Sequence, residues 1–319
     1  MSVTAPRTVE PPPADQRPST SGPRRMSWRR RDADRPAQAP GQRSMLVRVL
    51  VAVIVVVWSL PTVGLLISSL RPPAAIATTG WWTVLAHPFE VTQWTLDNYA
   101  TVLADQGMFD AFVNSVVIAI PATVIPISLA AFAAYAFAWI DFPGRKPLFA
   151  LVVGLLVVPL QMTFIPLLEL YVRWDLTGTY LGTWLAHTGF GLPMAVFLLY
   201  NYIADLPKEI LESAYVDGAS HFTAFTRLVL PLSAPVLAAF SIFQFLWVWN
   251  DFLVAFVFLG TSSDVSVLTA QLQQLVGTRG ESWHLLTAGA FVSMIVPLVV
   301  FLAMQRHFVR GLLTGGVKG

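Results

Sequence analysis

Glu212-Ser213-Ala214-Tyr215-Val216-Asp217-Gly218, followed by the nine residues Ala219 to Arg227 and then by Leu228-Val229-Leu230-Pro231, is a polar-rich stretch between two long apolar segments. Leu206-Pro207 opens it, and a Pro at a first helical position is preset in φ and forfeits no needed N–H. Ile210, Leu211, Ala214 and Tyr215 recur at i, i+1, i+4 and i+5, which places them on one face of a short helix. Asp217-Gly218 reads as its stop, because Gly enters the left-handed region without a Cβ penalty. Ser220 suits the N-cap of a second helix running through Phe222 and Phe225 toward Pro231. The stretch therefore predicts a short amphipathic helix, a sharp turn and a second helix returning to the apolar run. An ordinary connector lying at the lipid heads has the same amphipathicity.

The apolar flanks set the class. Apolar residues make up 55% of the 319, charged residues 12%, and the mean hydropathy is +0.63, whereas a soluble domain carries about 25% charged residues. A transmembrane helix needs about 20 predominantly apolar residues, because in hydrocarbon each backbone amide must be satisfied within its own segment. Six runs meet that requirement: Leu46 to Leu70, Ala111 to Trp139, Pro147 to Leu170, Tyr180 to Ile203, Leu230 to Leu259 and His284 to Met304. The expected fold is an all-α polytopic membrane protein with six transmembrane helices. Arg7, Arg17, Arg24, Arg25, Arg29, Arg30, Arg31, Arg35 and Arg43 precede the first run, with Arg48 at its entrance. With the N-terminus inside, Arg145, Lys146, Lys208, Arg227, Arg306, Arg310 and Lys318 also fall inside, against Arg71, Arg173 and Arg279 outside. This bias predicts cytoplasmic termini and accounts for the net charge of +2 without a nucleic-acid partner.

Residues 1–45 are rich in Pro, Arg, Ser and Ala and lack the apolar surface to fold alone, so a disordered basic cytoplasmic tail is expected there. A secretory signal fits less well, since the apolar run begins late and exceeds a typical signal core. A membrane domain is expected over residues 46–304, with its polar loop at 205–229, and a cytoplasmic tail over 305–319. The absence of Cys removes disulfides, thiolate metal sites and Cys nucleophiles. Lys146, Lys208 and Lys318 complete no phosphate-binding G-x-x-x-x-G-K-[ST] loop. His87, His187, His221, His284 and His307 are scattered, so no metal site is expected, and His187 reads as a packed histidine within a span. No catalytic residue is expected.

The fifth run carries Gln244, Trp247, Trp249, Asn250 and Asp251. Aromatic faces beside amides and carboxylates suit a sugar ring, so these five are expected along a substrate pathway. A carboxylate in hydrocarbon costs about 2.5 to 3.5 kcal/mol on insertion scales, so Asp251 must face protein or water; a helix cap explains it equally well. Gly178 and Gly182 match a small-xxx-small packing pattern but straddle a run boundary and read as incidental.

Glu212-Ser213-Ala214, three residues, Gly218, nine residues and Leu228-Val229-Leu230-Pro231 together resemble the EAA loop of ABC importer permeases, whose pattern is Glu-Ala-Ala, three residues, Gly, nine residues, Ile-x-Leu-Pro. Ser213 and Leu228 are the departures. The ending Gln305-Arg306-His307-Phe308-Val309-Arg310-Gly311-Leu312-Leu313-Thr314-Gly315-Gly316-Val317-Lys318-Gly319 is similar to that of carbohydrate-importer permeases of the maltose type, the smaller partner of the pair. Leu96-Asp97-Asn98-Tyr99, Trp249-Asn250-Asp251-Phe252 and Leu272-Gln273-Gln274 agree, and the resemblance runs from about Leu46 to Gly319.

The resemblance implies a type I ABC importer permease fold in a bacterial inner or plasma membrane. It implies that Glu212, Ser213, Ala214, Asp217, Gly218 and Ala219 form the helix that docks on an ATPase, with Glu212 and Gly218 foremost. It further implies that Gln305, Arg310, Gly311, Gly315 and Gly316 lie on a flexible tail reaching the ATPase dimer, where a frayed terminus is the plain alternative. This chain would bind no cofactor, ATP and Mg²⁺ being held by the ATPase. Its partners would be a second permease, two ATPase subunits, an extracellular solute-binding protein, membrane lipid and a carbohydrate cargo. An ion-coupled carrier is the competing class; it calls for several intramembrane ionisable groups, and the runs offer Asp251, His187 and Glu169.

Overall fold

A computed structural model describes residues 40–260, 262, 264–276 and 282–316, with side chains between 45 and 303 of these ranges. The chain divides into two units, residues 1–57 and 58–319. Among the described residues there is no strand. The helices are α1 (Pro40–Ser69), α2 (Pro73–Thr78), α3 (Asp97–Ala104), α4 (Met108–Trp139), α5 (Arg145–Gly154), α6 (Phe164–Arg173) and α7 (Tyr180–Ala204). They continue as α8 (Lys208–Val216), α9 (His221–Ala224), α10 (Leu230–Leu232), α11 (Ala234–Trp249), α12 (Leu253–Phe258), α13 (Leu268–Leu275) and α14 (Trp283–Gly316).

Four helical stretches among the described residues are long and apolar enough to cross a membrane: Met45–Ser69, Met108–Trp139, Tyr180–Ala204 and Trp283–Ala303. The third and fifth expected spans are not straight. Arg145–Val157 and Leu160–Arg173 are bent from a common line by 102°, and His221–Leu232 and Ala234–Trp249 by 71°, so the count reaches six only if each bent pair is one span. The first break lies at Pro159: a residue before Pro is pushed out of the helical region, and Val158 has ψ 118°. In the second, Pro231 cannot donate to the carbonyl of Arg227; a π turn at Phe225–Val229 precedes it and Ser233 turns the chain. The expected run from Leu230 to Leu259 is also interrupted at its far end. Asn250 leaves helical geometry, and Asp251 accepts from Val254 N (3.3 Å) and Ala255 N (3.0 Å), starting α12 afresh.

At the C-terminus the backbone of α14 stays helical through Gly316, whereas a flexible Gly-rich tail was expected at Gln305, Arg310, Gly311, Gly315 and Gly316. Once formed, a helix gains one hydrogen bond per added residue, so scattered glycines, at about 1 kcal/mol each, need not end it.

α4 and α7 form the spine of the second unit. Ala130, Ala131 and Ala134 of α4 join Ala195, Val196 and Leu199 of α7 in a core that also takes in Leu211, Phe225, Val229 and Phe240. Small side chains let the two backbones approach closely. Near the other end of α4, Ala111, Ile118, Ala119 and Ala122 pack with Val248, Trp249, Leu268 and Ala288. Asn114 pins the α13 approach by donating to Asp264 O (3.2 Å) and Ser266 O (3.0 Å), while Tyr180 Oη donates to Asn114 Oδ1 (2.7 Å). Gly178 and Gly182 do not pack helix on helix. Gly178 turns with φ +75° and donates to Phe258 O (2.8 Å), and a Cβ on Gly182 would overlap the Leu176 carbonyl.

A buried arginine organises the segment after α1. Arg71 is 2% exposed, and its guanidinium donates to Gly80 O (2.9 Å), Thr79 Oγ1 (2.6 Å) and the carbonyls of Thr79 and Ala75. A cation at the C-terminal end of α2 is favourably placed against the negative end of its dipole. Burial lowers its pKa. Asn98 completes the knot by donating to Ser69 O and Arg71 O, both at 2.9 Å.

Candidate functional site

The polar stretch folds as its local chemistry dictates. α8 starts after Pro207, which takes the N-cap position, one residue before the first-turn place expected for it. Its end is a Schellman motif: Ala219 N donates to Ala214 O (2.9 Å) and Gly218 N to Tyr215 O (3.0 Å). Gly218 has φ +83°, a region closed to most side chains, and a Cβ there would meet nothing within 4 Å. The glycine is thus required by backbone conformation and not by crowding. Ser220 then caps α9, its Oγ accepting from Thr223 N (3.2 Å).

One face of α8 is anchored and the other is open. Leu211 is buried at 1% exposure, and Ala214 and Tyr215 are half-buried; Ile210, expected on the same face, is at its exposed margin. Glu212, Ser213, Asp217 and Gly218 are all exposed. Two large apolar groups that the sequence reading did not single out flank them, Val216 at 88% and Phe222 at 67% exposure. Their signal was available: Val216 lies off the Leu211 face of α8, and Phe222 is an apolar residue in the first turn of α9.

Behind the turn lies a polar cluster that spacing could not have found. Tyr135 Oη is 2.9 Å from Tyr215 Oη, and His221 Nδ1 is 3.1 Å from each. It joins α8, α9 and α4 across 80 and 86 residues of sequence.

The five residues assigned to a pathway are not gathered in one opening. Gln244, 1% exposed, donates to Ala122 O (3.2 Å) and lies against Gly191. Trp249, 3% exposed, donates to Ser293 O (3.0 Å) and stacks on Phe245. Asn250 is exposed and donates back to Leu246 O (2.8 Å). Trp247 stands edge-on to His187 at 5.2 Å, and His187 Nε2 is 3.8 Å from Asp251 Oδ2, too far for a hydrogen bond. Asp251 therefore serves α12 first. Among the described residues no three His, Asp or Glu side chains gather as metal ligands.

Residues 41–314 match the model of the binding-protein-dependent transport system inner membrane component family. The chain belongs to this family. It is 60% identical over 272 residues to the osmoprotective compounds uptake permease protein GgtD of Synechocystis, covering 85% of this chain and 91% of that one. It is 44% identical to the alpha-glucoside transport system permease protein AglG of Rhizobium meliloti, covering 88% and 99%. A bacterial ABC transporter solved for its part in importing the acidic polysaccharide alginate shares the fold, with a TM-score of 0.70 at 16% identity over 86% of this chain and 99% of that one. As a member of this family the chain is a transport permease component, and α8 with its Gly218 turn is the segment that carried the resemblance.

Proposed function

We propose that this chain is the non-catalytic membrane subunit of an ATP-driven, binding-protein-dependent importer of a sugar or oligosaccharide. The observation that carries the reading is the α8 turn, which holds Glu212, Asp217 and Gly218 outward on a helix anchored at Leu211. A short helix with one buried face and one open face fits a groove on another protein. In this reading Glu212, Ser213, Ala214, Asp217, Gly218 and Ala219 form the seat of an ATPase subunit, and the tail residues Gln305, Arg310, Gly311, Gly315 and Gly316 contact the ATPase pair. The basic N-terminal segment and the Lys and Arg near α8 and α14 support cytoplasmic termini and six crossings, with each bent pair counted once.

One such chain supplies half of a pathway. A second permease, two ATPases holding ATP and Mg²⁺, and an extracellular binding protein complete the importer. ATP closes the ATPase pair, the docked helices move together, and the cavity opens toward the binding protein; coupling of this kind is reciprocal. The alpha-glucoside relative supports a sugar as cargo, while the 60% identity to an osmoprotectant permease favours a second class, a compatible solute.

The test is replacement of Gly218 by Trp in the assembled importer. ATPase co-purification and ATP-dependent uptake should both be lost, while uptake of labelled α-glucoside and compatible solute by the wild type separates the cargo classes. Unchanged ATPase association and uptake in the variant would reject the docking role, and uptake driven by an ion gradient without ATP would favour a carrier.

A further inference from the structure

The triangle of Tyr135, Tyr215 and His221 lies at the foot of the docking helix and is not part of its exposed face. The three side chains meet in short contacts of 2.9, 3.1 and 3.1 Å, and either tautomer of His221 admits arrangements in which two of them are hydrogen bonds. α8, α9 and α4 stay tied in each of them. The surroundings are packed: Tyr135 lies 5.2 Å from the Phe225 ring, Phe225 lies 4.7 Å from Phe132, and Leu211 fills the same core. Tyr135 is close-packed and transmits displacement because it has no free volume into which to yield, while Tyr215, half-buried, and His221, exposed, join it through their hydrogen bonds.

The other route out of α9 is different in kind. It passes through the π turn Phe225–Val229 and then the 71° bend before α11. Irregular turns of this sort are where helices give. The loop thus has a stiff connection to α4, and through its Ala face to α7, alongside a compliant connection to α11.

We propose that the Tyr135–Tyr215–His221 triangle is the transmission link of this permease. It carries a displacement of α8 into the α4 and α7 pair, while the π turn lets α11 pivot. The inference rests on the reading of α8 as the docking helix. The three are positioning residues, touching neither cargo nor nucleotide.

The experiment uses the complete importer in proteoliposomes, comparing Tyr215→Phe, His221→Leu and His221→Asn for ATPase co-purification and for cargo taken up per ATP hydrolysed. Tyr215→Phe and His221→Leu should retain the ATPase but lose roughly fivefold in uptake per ATP, the factor matching one net hydrogen bond. His221→Asn, which returns a polar atom near the place of Nδ1, should stay within about twofold of wild type, less than the loss of a whole bond. A merely structural role would lower the yield of complex and leave the ratio per ATP alone. Unchanged ratios in Tyr215→Phe and His221→Leu would overturn the proposal, as would a His221→Asn defect equal to that of His221→Leu. Dissociation of the ATPase from Tyr215→Phe would also overturn it, because the triangle would then shape the docking surface. The docking role itself stands or falls separately, on Gly218→Trp.

Discussion

Two glycines show how differently the same residue type is constrained. Gly218 has open space and a left-handed φ, whereas Gly191 has a helical backbone and no space: a Cβ there would come within 2.6 Å of Gln244 Nε2. Gly191→Ala is therefore expected to push Gln244 off the Ala122 carbonyl and destabilise the protein by about 1 to 3 kcal/mol, the usual cost of overpacking. Gly189→Ala, where a Cβ meets nothing within 4 Å, is the control and should stabilise slightly, by about 0.5 to 1 kcal/mol, as the helical cost of a Gly is removed. Thermal unfolding in detergent checks both. Gly218 was legible because a stop signal and a spacing coincide in one short segment. Gly191 was not, since its constraint comes from a side chain 53 positions away.

Capping and bending decide the elements. Asp251 holds the first turn of α12, so Asp251→Ala should cost about 1 kcal/mol of stability, as lost caps do. Asp251→Asn keeps an acceptor and should unfold close to wild type. If that variant is stable yet imports poorly, the pathway role suggested by its neighbours is upheld; equal uptake removes it. The straight spans were readable from hydropathy because a 3.6-residue ladder in lipid leaves few alternatives. The breaks were not, although Pro159, Pro231 and Asp251 stand in the sequence, because Pro61, Pro121, Pro126, Pro193 and Pro297 sit inside unbroken helices. Whether a proline interrupts a helix depends on what its neighbours pack against. Arg71 makes the same point from the other side. Read as an outside charge, it proves to be a buried knot, and only the fold brings Ala75, Thr79 and Gly80 to its fork.

For the whole molecule, the proposed orientation has a clean assay, because the chain contains no Cys. A single Cys introduced at exposed Lys208, outside the proposed ATPase seat, should react with an impermeant maleimide only after the cell is opened. One introduced at exposed Trp82 should react from outside. The reverse pattern would invert the topology and remove α8 from the cytoplasm. Family membership and the α8 turn were visible in sequence because both rest on contiguous motifs. The link from α8 to α4 joins residues whose distance in the chain carries no signal.

The 102° bend also has a consequence in plain geometry. Arg145–Val157 and Leu160–Arg173 would each run about 20 Å at helical rise, and two such arms at that angle reach end to end only roughly 25 Å. A bilayer core is about 30 Å thick. Counted as the single span proposed above, the pair falls short of that core, so thinned lipid or water at its ends would make up the difference, and the thickness of the host membrane would then bear on the stability of this fold.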